Sequence, residues 1–131
     1  MNAGNIQIDP SKRHYKNNKS SIIERIRFDI ESKKGCTIEE LRKSYNDDFS
    51  FYRTCLVFTV ATNKALCTAI GISPASGRKH SKQLKASGIL FKVELVQCPF
   101  TGGKDWSITA NPRKAFLERE KLGISPSQSP Q

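Results

Sequence analysis

The chain has 131 residues, enough for one domain with a sizeable core plus tails and too few for two domains of ordinary size. Its 22 Lys and Arg outweigh 12 Asp and Glu, and the resulting formal net charge of +10 directs attention to a polyanionic partner, nucleic acid or an acidic membrane surface. The longest strongly apolar stretch, Cys55 to Ala61, falls far short of the roughly 18 residues that cross a bilayer, and the polar amino terminus lacks the apolar run of a secretion signal, so the expectation is a soluble, cytoplasmic protein with no membrane partner.

Residues 1–19 combine few apolar side chains with a proline and the bases Lys12, Arg13, Lys16 and Lys19. That composition predicts a flexible basic arm, which reads equally as a solubility tail or as a contact to a minor groove or to phosphates. Residues 122–131, ending in GISPSQSPQ, are a Ser, Pro and Gln tail expected to be disordered. The span between them, 20–121, is expected to form a single domain: a helical extension over 20–48 and a core over 49–110, followed by a short charged helix from Arg113 to Lys121.

In the extension, Ile22, Ile23, Ile26 and Ile30 recur at helical spacing and predict a helix from about Ser21 to Lys33, which Gly35 ends. Thr37 followed three residues later by Glu40 is a capping box, with Ile38, Leu41 and Tyr45 as the apolar stripe of a second helix. Asn46, Asp47 and Asp48 close it and supply a cap for the next element. Phe49 to Ala61 is apolar on nearly every side, so its period does not separate strand from helix, but about 13 residues is long for a strand and favours a buried helix.

The next segment, NKALCTAIGISPASGRKHSKQLKASGIL, carries consistent signals for two helices meeting at a tight turn. Lys64 to Ile70 forms the first helix, Gly71 supplies the left-handed turn residue, and Ile72 plugs the angle between the helices. Ser73 caps a second helix that has Pro74 at its first position and runs to about Ser87, where Gly88 stops it. Gly77, His80, Ser81 and Leu84 should face the scaffold; Ser76, Arg78, Lys79, Lys82, Gln83 and Lys85 should face away. Phe91, Val93 and Leu95 then alternate with Lys92, Glu94 and Val96, the turn-rich CPFTGG follows, and Trp106 and Ile108 alternate again, which predicts a hairpin. The predicted fold class is therefore mainly α with a small β-hairpin.

That segment with its hairpin resembles the winged helix-turn-helix superfamily over about half the chain, and CPFTGGKDWSITANP looks like the wing of small winged-helix proteins of bacterial genomes and mobile elements. The resemblance implies a three-helix core that holds double-stranded DNA with a recognition helix in the major groove and with the wing. On that reading Ser76, Lys79 and Gln83 are candidates for base contacts, and Lys64, Arg78, Lys82, Lys85, Lys92 and Lys104 for backbone contacts. Gly77 and Ser81 depart from the pattern, since larger apolar residues often stand there.

Charge placement points the same way. Between Asp48 and Glu94 there is no acid but there are seven Lys or Arg, whereas residues 20–48 hold seven acids and six bases. The expected function is transcriptional regulation, or an accessory role for a mobile element, without a cofactor. Residues 20–46 are the candidate surface for a homodimer, on the ground of leftover apolar area. The rival readings are a protein-interaction module built on the same scaffold and RNA binding by the same basic face.

Nothing in the sequence writes out an enzyme: it has no nucleophile beside a base, no Gly-rich phosphate loop, and no paired carboxylates. Cys36, Cys55, Cys67 and Cys98 form no C-x-x-C pair, so neither a metal site nor a redox dithiol is expected; Cys55 and Cys67 read as buried hydrophobes and Cys98 as the more exposed thiol. His80 reads as a packed scaffold residue, and Trp106 as core or wing packing before a platform for bases.

Overall fold

The computed structural model describes residues 18–123, and the expectations for 1–17 and 124–131 lie outside these residues. Six helices, α1 (Lys19–Lys34), α2 (Ile38–Lys43), α3 (Asp48–Val57), α4 (Asn63–Ile70), α5 (Pro74–Ala86) and α6 (Pro112–Lys121), accompany a two-stranded antiparallel hairpin of β1 (Phe91–Cys98) and β2 (Gly103–Thr109). The fold is mainly α with a small hairpin.

The helix starts follow from side chains that satisfy amides with no partner inside the helix. Asn18 accepts from the backbone N–H groups of Ser20 and Ser21, so Lys19 belongs to α1 and not to the arm. Thr37 and Glu40 form the reciprocal capping box of α2. Asp47 caps α3 by accepting from the Ser50 N–H, which holds its carboxyl below the usual carboxylate range. Asn111 does the same for α6, whose closing turn takes in Leu122 and Gly123.

One helix is shorter than expected. α3 ends at Val57, with Phe58 as its cap, and does not reach Ala61. Its last carbonyls are taken by the segment leaving β2: Leu56 O accepts from the Ala110 N–H and the Thr109 hydroxyl, and Val57 O accepts from the Asn111 side-chain amide. With those acceptors occupied, the chain turns out of the helix, and Ala61 exchanges backbone hydrogen bonds of 3.0 and 2.8 Å with Ile108. A single residue thus adds a third rung beside β2.

The core lies between α1, α3, α4 and the base of the hairpin. Ile26 and Ile30 of α1, Ile38 and Leu41 of α2, Phe51, Tyr52, Cys55 and Leu56 of α3, Leu66 and Ile70 of α4, Leu84 of α5 and Ile108 of β2 are all buried in it. Of the apolar residues over 20–46, on which a dimer surface was expected, Ile26, Ile30, Ile38 and Leu41 are buried, Ile22, Ile23 and Tyr45 are partly buried against the core, and Phe28 is exposed. α1 packs chiefly on α4, and Arg27 fixes the pair by donating to the Ala69 carbonyl at 3.2 Å while pairing with Glu31 and Glu39.

Burial also corrects one thiol. Cys98, expected to be exposed, is buried, with its Sγ 3.2 Å from the Thr62 hydroxyl. Burial pushes the Cys55 thiol up to about 12 and the Cys67 thiol up to about 11, so neither forms the nucleophilic thiolate at neutral pH. Mass analysis after maleimide treatment of the native protein should find Cys36 modified and the other three untouched, and all four modified in denaturant. Modification of Cys55 in the native state would contradict this packing.

Candidate nucleic-acid interface

The α4–α5 unit is built around one turn. Gly71, at φ +82°, and Ile72 both direct their amides to the Cys67 carbonyl, at 2.8 and 3.0 Å, and the buried Ile72 side chain fills the angle between the helices. Ser73 then accepts from the Ser76 N–H, and its hydroxyl donates to the Ser76 hydroxyl at 3.0 Å. Replacing Ser73 with Ala removes this cap and should cost about 1 kcal/mol, read as a shift in the urea midpoint without a change in slope. An unchanged midpoint would mean that Ser73 does not set the start of α5.

α5 is held from beneath by side chains that touch it closely. Gly77 packs so tightly on α4 that a Cβ there would stand 2.2 Å from Cys67 Sγ and 2.5 Å from Asn63 Oδ1. The absence of a larger side chain at this position thus has a steric cause. Asn63 links three helices: it accepts from the Tyr52 hydroxyl of α3 at 2.8 Å and donates to the Pro74 carbonyl at the start of α5 at 3.3 Å. His80 packs edgewise on Phe49 and tilted on Tyr52, with ring centroids 5.7 and 5.4 Å apart; its buried Nε2 has no hydrogen-bond partner among the described residues. Its role is packing, as expected. Asn63 was not visible as a link in the sequence, because its partners stand on two other helices.

The opposite face of α5 is open. Arg78, Lys79, Lys82, Gln83 and Lys85 are exposed, and Ser76 is half-buried at the amino-terminal turn. At helical spacing Lys79 and Lys82 run down the middle of this face, with Arg78 and Lys85 on one flank and Ser76 and Gln83 on the other. The structure brings these six residues onto one surface and places Lys64 apart from them, half-buried on the first turn of α4. Lys104 is exposed next to the hairpin turn, and Lys92 is half-buried on β1.

Among the described residues, every ion pair involves α1, α2, α6 or Asp48 at the start of α3. None of Lys64, Arg78, Lys79, Lys82, Lys85, Lys92 and Lys104 has an acidic partner among them. The acids of the amino-terminal half neutralise the bases beside them, and the α5 charges stay uncompensated. Such a face attracts a polyanion through its summed field.

The hairpin carries a bulge and is bound to the body by a side chain of α6. A bulge between Lys92 and Glu94 shifts the register, after which Leu95 pairs with Trp106 and Gln97 with Lys104. Buried Arg119 of α6 donates through Nε to the Lys92 carbonyl at 3.0 Å and also through its terminal nitrogen, binding the helix to the strand. The bulge corrects the simple alternation read from the sequence: Val93 is buried, whereas Leu95 is exposed. Trp106, expected to be packed, is 39% exposed, with Lys92 Nζ lying 5.2 Å from its ring centre.

Compared with known proteins, the chain matches no family model, no curated protein and no solved structure. Its surfaces are therefore read from their own geometry and charge. Among the described residues, no group of three or more His, Cys, Asp or Glu is placed to hold a metal ion, and no helix is long and apolar enough to cross a membrane.

Proposed function

We propose that this chain binds double-stranded DNA as a winged helix-turn-helix protein, with α5 in the major groove and the β1–β2 hairpin as the wing. The observation that carries the reading is the α5 face, on which Arg78, Lys79, Lys82 and Lys85 stand exposed with no acidic neighbour among the described residues. A helix anchored on one side by Gly77 and Leu84 and bare on the other has the width that the major groove admits. Ser76, Lys79 and Gln83 are assigned to base edges; Arg78, Lys82, Lys85, Lys64, Lys92 and Lys104 to phosphates.

The element order supports the family reading: a helix, a single bridging residue, two helices about a tight turn, and a hairpin that pairs back with the bridge. Regulation of transcription, or service to a mobile element, inside the cytoplasm is the role that such a binding module would fill. Catalysis is not part of the proposal.

Salt tests it. With about six phosphates neutralised, affinity for a random-sequence duplex should fall on the order of a thousandfold between 50 and about 200 mM salt, with a slope near −5 on logarithmic axes. A slope near zero would remove the electrostatic basis of the proposal. Selection of bound sequences from a random duplex pool then reads specificity directly, and failure to enrich any sequence would leave a non-specific binder.

A further inference from the structure

The exposed end of the hairpin carries a second set of groups. Ile108, Trp106 and Lys104 lie on one side of β2, two residues apart, and cross-strand pairing sets Leu95 opposite Trp106 and Gln97 opposite Lys104 on that same side. At the base this side is core, since Ile108 is buried against the helices. Two residues further out the helices no longer cover it: Trp106 is 39% exposed and Leu95 49%. A directly opposed Trp and Leu left in water form an apolar patch open to a partner.

Two cations lie on the side of the hairpin that carries this pair. Lys92 holds its ammonium 5.2 Å from the indole centre, and Lys104 stands opposite Gln97 two rungs further out. The neighbouring acids sit on the other side of the strands: Asp105 pairs with Val96, its carboxylate accepting the Trp106 backbone N–H at 2.8 Å, and Glu94 pairs with Ser107. A flat aromatic surface, an apolar neighbour and two cations without a facing acid are what a nucleotide out of its helix requires: a platform for the base and positive charge for its phosphates. A basic peptide would gain the apolar contact but would meet the two ammonium groups.

We infer that the outer end of the hairpin is a binding site for an unpaired nucleotide, with the base stacking on Trp106 against Leu95 and the flanking phosphates meeting Lys92 and Lys104. The inference rests on the proposal that the chain binds DNA, and it makes the preferred ligand a duplex that continues into a single strand. α5 holds the paired part, and the hairpin holds the first unpaired base.

Trp106 is the single tryptophan of the chain, so its fluorescence reports this site alone. The probes are a short random-sequence duplex with blunt ends and the same duplex extended by a single-stranded oligothymidine tail. The tailed duplex should bind roughly tenfold more tightly than the blunt one and quench the emission, as one stacked base would give. Trp106→Ala should abolish the tenfold preference of the tailed over the blunt duplex, while Trp106→Phe should keep most of it.

Equal affinity for the two probes with unquenched emission would overturn the inference and leave duplex binding by α5 standing. A preference that survives Trp106→Ala would overturn it as well. If neither probe binds, the DNA-binding proposal and the inference fall together; charge reversal on α5 separates the cases, since it should remove blunt-duplex binding but spare part of the quenching by the tail alone.

Discussion

Changing Lys79, Lys82 and Lys85 together to Glu is expected to weaken binding to a random duplex by on the order of a thousandfold or more. Each change removes a cation and adds an anion against phosphate, and a unit charge near a surface contact is worth about 1 kcal/mol even in water-like surroundings. Six units of charge together outweigh any loss the fold could hide. All three side chains are exposed and none has an ion-pair partner among the described residues, so the fold should not register the change. Far-ultraviolet circular dichroism and the thermal midpoint should match the parent, and filter or anisotropy binding should collapse. Intact binding by a folded triple variant would mean that α5 is a solvated face and that the ligand lies elsewhere.

Gly77→Val should have the largest effect on stability. The first added carbon already meets Cys67 Sγ and Asn63 Oδ1 at distances that atoms do not tolerate, and the two further methyl groups have no better place to go. Either α5 lifts from α4 or Asn63 gives up the Tyr52 hydroxyl, a bond that is part-buried and joins three helices. Overpacking of this kind costs about 1–3 kcal/mol, and leaving the Tyr52–Asn63 pair unsatisfied adds to it. For a domain of this size the thermal midpoint should fall by roughly 10–20 °C. Gly77→Ala, being smaller, offers a check by rescue: combined with Cys67→Ala it should recover stability relative to Gly77→Ala alone, because the clashing sulfur is gone. Additive losses in that pair would show that the crowding lies with Asn63 and not with Cys67.

The parts of this structure that were legible in the sequence are those governed by neighbours along the chain. The Thr37–Glu40 box, the Ser73–Pro74 start, the Gly71 turn and the stop at Gly35 each depend on residues within four positions, and each stands where it was read. The exposed face of α5 belongs with them, because helical spacing alone separates Leu84 from Lys82 and Lys85. The errors arose where a distant segment decided. α3 stops short of Ala61 because Thr109, Ala110 and Asn111 take its carbonyls, and these residues lie some fifty positions away.

The hairpin misled for a related reason. A bulge after Lys92 reverses which side each later residue occupies, and nothing in the alternation of Val93, Leu95 and Trp106 announces it. Trp106 therefore read as packing when it is open. The amino-terminal helices misled in the other sense: their isoleucines looked like surplus surface because their partner, α4, is itself short and reads as complete. Apolar area cannot be assigned to an outside partner until the chain's own demand for it is met.

The grip of α1 on α4, with Arg27 tying the far end of α4 to two glutamates, bears on the thermodynamics of association. A helix braced in this way arrives in its final shape, so little ordering of the backbone is drawn from the attraction to a ligand. Calorimetry of complex formation should accordingly record a small heat-capacity change, set by the touching surfaces alone, and not the large negative value that accompanies a segment folding as it docks.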